Sequence, residues 1–239
     1  MSQQTERRAD FDYLRAAAIV LVVLHHAYIP YARFAYLNPL NPVLTISPVV
    51  NGERWVGFDV MAEVLDTFLM PLLFLVSGLF VWKSLTQKGE ARYLAARFKR
   101  LGIPFLVGVL LVPATYYPAQ LQISRAFGEA PGFVDFAGQV AGAGFGTAGP
   151  MWFVWVLLLF DVLVVAAFKA VSSSIPKGSG RRVPVLERPS LFFGALFLVS
   201  ALAYFMMVIM FGPHTWTGAG PFKFQGSRIL FYLMYFLGG

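Results

Sequence analysis

Arg15 and His26 lie eleven residues apart within the apolar segment Tyr13–Tyr28. At 100° per residue, eleven steps end about 20° past three full turns, so the two side chains share one helix face roughly 16 Å apart along the axis. His25 is one position short and points about 80° away from Arg15. Ionisable groups at membrane depth are costly, face the protein interior or a water-filled cavity, and mark function by default. Imidazole is suited to taking a proton near neutral pH, so His26 has the chemistry of a general base for an acceptor hydroxyl. The competing reading of His26 is an interfacial histidine hydrogen-bonded to a neighbouring helix. Arg15 either snorkels to the interface as a topology anchor or stands at the inner mouth of a cavity that takes an anionic donor.

Arg97 and Arg100, in Arg97-Phe-Lys-Arg100-Leu-Gly-Ile-Pro104, fall about 60° apart on a regular helix where the third apolar segment begins. Two adjacent guanidinium forks suit phosphate oxygens, although, taken alone, a positive-inside cluster is the better account of them. Glu63 and Asp66 are spaced i, i+3 in the second apolar segment and are expected as buried carboxylates on one face. They would orient His26, bind an acceptor's hydroxyls, or pair with Arg54 or Arg228. Asp161, inside Leu157-Leu-Leu-Phe-Asp161-Val-Leu163, needs a partner that the sequence does not single out. Other chemistries find little support. The chain has no Cys, hence no thiolate ligand or nucleophile, and its remaining histidines, His25 and His214, are placed too poorly for a metal site. Ser77-Gly78 reads as a small-residue helix contact rather than a nucleophile elbow, and Trp152 and Trp155 read as an aromatic belt.

The elements that must position these residues are membrane helices. The 239 residues are 58% hydrophobic and 13% charged, with 24 Phe and a mean hydropathy of +0.66, far from the balance of a soluble domain. Five apolar runs, Tyr13 to Ile29, Val60 to Trp82, Leu101 to Leu121, Met151 to Val171 and Leu191 to Phe211, each approach the ~20 residues that span a bilayer. A sixth starts at Ile229 and would give only about half a hydrocarbon core of helix. The expected fold is therefore all-α, a polytopic transmembrane bundle of about six spans forming a single domain over 1–239. That domain is expected to be incomplete at its C-terminus, either truncated or in need of a partner to complete the bundle. The first span is not a cleavable leader, because Arg15 interrupts it and His25-His26 replaces a small-residue cleavage site.

The net charge of +7 is explained by topology. Fourteen of the nineteen Lys and Arg residues, including Arg7, Arg8, Arg15, Lys83–Arg100 and Lys169–Arg188, fall on one side when the spans alternate. By the positive-inside rule the N-terminus is cytoplasmic, and no nucleic-acid partner is called for. Residues 172–190 read as a cytoplasmic linker, Gly128 to Pro150 as flexible Gly-rich backbone, and Tyr31 to Asp59 as an outer loop packed over the bundle mouth.

Tyr13-Leu-Arg15 with His26, Met70-Pro71-Leu-Leu-Phe-Leu-Val-Ser77-Gly78, Arg97-x-x-Arg100-Leu-x-x-Pro104 and Gly149-Pro150-Met-Trp152-Phe153 occur in the order found in acyltransferase family 3. The chain resembles that family clearly from Tyr13 to about Phe160, and beyond that by hydrophobicity alone. The resemblance implies an integral enzyme of the bacterial inner membrane, with a longer bundle than this chain supplies. Such an enzyme moves an acyl group, often acetyl, from cytoplasmic acyl-CoA to a hydroxyl of an extracytoplasmic glycan or related acceptor. It implies His26 as the catalytic base and Arg15, Arg97 and Arg100 as contacts to the donor, with acyl-CoA as a substrate and no permanently bound cofactor. Two other readings stay open: a non-enzymatic transporter or exporter of an anionic or glycan substrate, since buried carboxylates with basic partners also mark transport pathways, and an inactive truncated fragment.

Overall fold

The computed structural model describes residues 9–40, 47–128, 130–145, 149–172 and 188–239. Most of the linker expected over 172–190 lies outside the described residues, as do Arg7, Arg8, Lys177, Arg181 and Arg182. Among the described residues the chain is mostly helical, with a non-helical connection between Tyr31 and Val56 and one short two-stranded hairpin. Among the described residues, five helical stretches are long and apolar enough to cross a membrane: Ala9–Tyr31, Val56–Lys88, Glu90–Ala126, Gly149–Ala170 and Pro189–Phe211. The protein is thus a multi-pass membrane protein.

Helix α1 (Ala9–Tyr28) packs antiparallel to α2 (Val56–Gly78), with Phe11 edge-on to Phe80 at one end and Tyr28 stacked on Phe58 at the other. A short helix α3 (Val81–Lys88) continues from α2 and carries it beyond the ~20 residues a bilayer needs. The chain then reverses at Gly89, whose φ of 76° lies in the left-handed region that glycine enters without cost, and starts α4 (Glu90–Arg97). A stretch expected as an inner loop is therefore a helical hairpin.

The third span is one long rod interrupted by a π turn and by a break at Leu111. After α4 comes a π-helical turn, Phe98–Gly102, then α5 (Ile103–Leu110) and α6 (Val112–Phe127). Pro104 and Pro113 sit just after the π turn and just after Leu111, where their missing N–H interrupts the hydrogen-bond ladder of the rod. The rod begins at Glu90 rather than near Leu101, so the arginine pair lies inside it rather than at its entrance. The segment expected to be flexible contains α7 (Phe133–Gly142), which buries Phe136 and Val140 against Val112 and Tyr116 of the rod.

Helices α8 (Trp152–Ser172) and α9 (Pro189–Phe211) complete the long spans, and α10 (Ile229–Gly238) packs against both α2 and α9. Between α9 and α10, strands β1 (Trp216–Thr217) and β2 (Phe224–Gln225) pair antiparallel, Trp216 opposite Gln225. The core sits where α2, α8 and α10 meet. Phe74 of α2 stacks on Tyr232 at 5.0 Å and packs against Phe153 and Phe160 of α8. Aromatic contacts of this geometry add to the burial of the rings themselves. Trp152 and Trp155 belong to this packing rather than to a lipid-facing belt: Trp152 lies beside Tyr232 and Trp216, and Trp155 donates from Nε1 to the Lys223 carbonyl at 3.2 Å. The indole N–H needs an acceptor once half-buried, and the hairpin supplies one.

The described part of the Tyr31–Asp59 connection is tied down by hydrogen bonds. Gln122 of α6 exchanges two with the backbone of Val50, and Arg54 reaches the carbonyls of Ala32, Arg33 and Ala35. Arg54 is thereby committed to this loop and does not pair with Glu63 or Asp66.

Candidate active site

At the end of the bundle where α1 begins and α2 finishes, a cavity of about 350 Å³ is lined by Arg15, Ser77, Ser84, Lys88, Arg97 and Arg100, with Phe80, Leu101 and Leu157 among its apolar walls. Four cations from α1, α3, α4 and the π turn thus converge on one space. Arg15 is held by packing, its guanidinium carbon 4.2 Å from the Phe80 ring centre and its Nη2 3.4 Å from the Val76 carbonyl. A cation over an aromatic face is favourable and fixes the plane of the fork. Arg100 and Lys88 are exposed and retain solvent-reachable donors at the rim.

Arg97 is the most firmly positioned of the four. Its Nε donates to the Tyr93 hydroxyl at 3.1 Å and lies 3.1 Å from Asp161 Oδ2, while the Tyr93 hydroxyl donates to Asp161 Oδ1. Asp161 is fully buried near the middle of α8, where an unpaired carboxylate would be strongly disfavoured. The sequence pointed to the need for a partner but not to which one. Tyr93 was missed altogether, although its place four residues before Arg97 puts the two on one helix face. The π turn alters the expected 60° relation between Arg97 and Arg100, because a π-helical turn adds a residue to the i→i+4 repeat. Both arginines nevertheless line the same cavity.

The other predicted residues gather elsewhere. α1 is continuous from Ala9 to Tyr28, so His26 lies roughly 16 Å along it from Arg15, outside the cavity lining. The packed face of α1 runs through Arg15, Ala18 and His25. His26 falls on its exposed side, and His25 Nδ1 lies 2.8 Å from the Tyr28 hydroxyl. Asp66 pairs with Arg228, just before α10, rather than with His26. Its side chain is 43% exposed, and Glu63 is exposed with no ion-pair partner among the described residues. The expectation of two buried carboxylates is corrected accordingly: the face of α2 that carries Glu63 is not covered by any described helix. Asp66 is also within electrostatic range of His25 and Tyr28. The site residues therefore form two groups, a cationic cavity and a mixed His/Asp/Arg cluster, joined by α1 and α2. Among the described residues no three His, Asp or Glu side chains gather as metal ligands.

A family model described as an acyltransferase domain, that of acyltransferase family 3, matches residues 8–239. The chain belongs to this acyltransferase family. The match takes in every described helix, including α9 and α10, where the motifs fade. Among curated proteins, the chain is similar to glucans biosynthesis protein C of Escherichia coli strain SMS-3-5, at 21% identity over 236 residues, which are 98% of this chain and 57% of the relative. The same protein from Escherichia coli O157:H7 and from Escherichia coli O1:K1 matches with the same identity and coverage. The chain thus spans somewhat more than half the length of the curated relatives it matches. No solved structure matches it.

Proposed function

We propose that this chain carries the donor side of an integral-membrane O-acyltransferase of the bacterial inner membrane. It would transfer an acyl group, acetyl in the simplest case, from cytoplasmic acyl-CoA to a hydroxyl of an extracytoplasmic carbohydrate. The observation that carries the reading is the convergence of Arg15, Lys88, Arg97 and Arg100 on one cavity at the end where the chain's basic residues concentrate. Such a cavity suits the phosphates of a CoA nucleotide. Acyl-CoA carries its anionic nucleotide and its thioester at opposite ends of an extended arm. A donor head at Arg15 and a base at His26, roughly 16 Å apart on one helix, is the separation such a molecule bridges. Family membership supports acyl transfer, and the name of the relatives, glucans biosynthesis protein, supports a carbohydrate acceptor.

In this reading His26 accepts the proton of the acceptor hydroxyl as its oxygen attacks the thioester carbonyl. The new C–O bond forms, the C–S bond breaks, and the proton passes from His26 to the departing CoA thiolate. Glu63 and Asp66, on the helix facing α1, hold the acceptor's hydroxyls, and Arg228 fixes Asp66. No resident cofactor or metal is needed, since the donor is a substrate.

The test compares His26→Ala with His25→Ala in membranes supplied with radiolabelled acetyl-CoA and a glucan acceptor, at matched protein levels. Loss of a general base costs about 10²- to 10⁴-fold in transfer, so His26→Ala is expected to lose that much and His25→Ala far less. Equal losses, or none, would overturn the assignment of His26. Flux of glucan across the membrane without acyl-CoA turnover would favour a transporter.

A further inference from the structure

We propose that Asp161 and Tyr93 are positioning residues for the anion-binding fork of Arg97. This rests on the reading of the cationic cavity as the donor site and adds to it Tyr93, which forms part of the cavity wall, and Asp161, which lies outside the lining. A guanidinium has five N–H donors in a rigid plane. Here the Nε edge faces Tyr93 and Asp161, each about 3.1 Å away, while the residue itself lines the cavity. The two terminal amino groups have no protein partner among the described residues and form the end available to a phosphate. Holding a guanidinium by its Nε fixes the plane in which those amino groups lie, and a bidentate contact depends on that plane.

The arrangement is too costly to be incidental. Asp161 is completely buried, Tyr93 nearly so, and Asp161 Oδ2 accepts no aligned hydrogen bond although it lies 3.1 Å from Arg97 Nε. A carboxylate left partly unsatisfied at mid-helix is destabilising on its own account. It also brings a negative charge beside a cavity bearing four positive ones, which offsets their mutual repulsion when no anion is bound. The Tyr93 hydroxyl closes the triangle by donating to one carboxylate oxygen and accepting from Arg97.

The test is a double-mutant cycle read by coenzyme A titration of the purified chain in lipid nanodiscs, with inorganic pyrophosphate as a second probe. Tyr93→Phe removes one hydroxyl and keeps the ring, so it stays informative if Asp161→Asn does not fold. Each is expected to weaken coenzyme A binding about tenfold, in line with loss of a charge-assisted hydrogen bond. In an Arg97→Ala background, neither should weaken binding further, because the residue they position is gone. Full additivity in that background, or unchanged affinity in Tyr93→Phe, would overturn the proposal. The underlying donor reading fails differently: Arg97→Ala itself would then leave binding unchanged. Binding of pyrophosphate but not of coenzyme A, with the cycle still non-additive, would keep the positioning role and reject acyl-CoA as the ligand.

Discussion

Asp66 on α2 and Arg228, at the threshold of α10, form an ion pair between residues 162 positions apart, and the two ends of that pair are unequally buried. The Arg228 side chain is 16% exposed and that of Asp66 43%. Arg228 also lies near the Asp66 carbonyl at 3.5 Å. Removing the acid leaves a mostly buried cation without its counter-charge, while removing the base leaves a carboxylate that water reaches. Asp66→Asn is therefore expected to destabilise more than Arg228→Met, by about 1–3 kcal/mol against about 1 kcal/mol or less. Thermal unfolding of both variants in one detergent checks the order, and the reverse order would refute the argument.

Gly78 ends α2 against α10, and a Cβ at that position would overlap the backbone oxygen of Phe236. Backbone cannot yield as a side chain can, so α10 would have to move. Gly78→Ala is expected to cost about 1–3 kcal/mol and Gly78→Val more. Faster proteolysis of the α10 segment, together with a lower unfolding temperature, is the expected signature. Unaltered stability in Gly78→Val would mean that α10 does not pack here.

His25 and His26 differ in what they support structurally. His25 meets the Tyr28 hydroxyl on the packed face of α1, while His26 is exposed. His25→Ala should destabilise by about 1 kcal/mol, as for one hydrogen bond, and His26→Ala by much less. With the transfer assay this gives a crossed pattern, in which one histidine governs stability and the other turnover. Parallel effects of the two substitutions in both assays would remove the distinction.

The cations around the cavity should act through screened charge as well as through specific contacts. Arg15→Ala and Arg100→Ala are each expected to weaken coenzyme A binding by about 1–2 kcal/mol. Wild-type affinity should also fall between low salt and roughly half-molar salt, where the Debye length becomes only a few ångström. The exposed Arg100 is expected to lose more of its contribution to salt than Arg15, which is held over Phe80. Affinity independent of salt and of both substitutions would exclude an anionic ligand in this cavity.

The hydrophobic runs were legible because a bilayer imposes a length on any helix that crosses it, and all five long spans stand where apolar composition put them. Arg15 was legible as a charge inside an apolar run, and Arg97 and Arg100 as adjacent forks where the third run begins. The partner of Asp161 was not, because 68 residues separate it from Tyr93 and only the packing of α8 on α4 brings them together. The burial of the individual α1 residues was not legible for a related reason. Helical periodicity gives the angle between Arg15 and His26 but not which sector of the helix α2 covers, and the covered sector takes in His25. Trp152 and Trp155 carry the composition of an interfacial belt. Yet the hairpin and α10 cover them, and neither element has a sequence signal strong enough to foretell that contact.

The reversal at Gly89 bears on the order in which the cavity is assembled. Most of its lining, from Ser77 to Leu101, is contributed by a single stretch of chain folded back on itself. Contacts so close in sequence have little loop-closure entropy to overcome. That wall can therefore take shape as soon as the second and third membrane segments have left the insertion machinery. The carboxylate that steadies Arg97 comes from the fourth membrane segment and arrives later. The charges of that wall thus depend on α8 for the carboxylate that holds Arg97 in place.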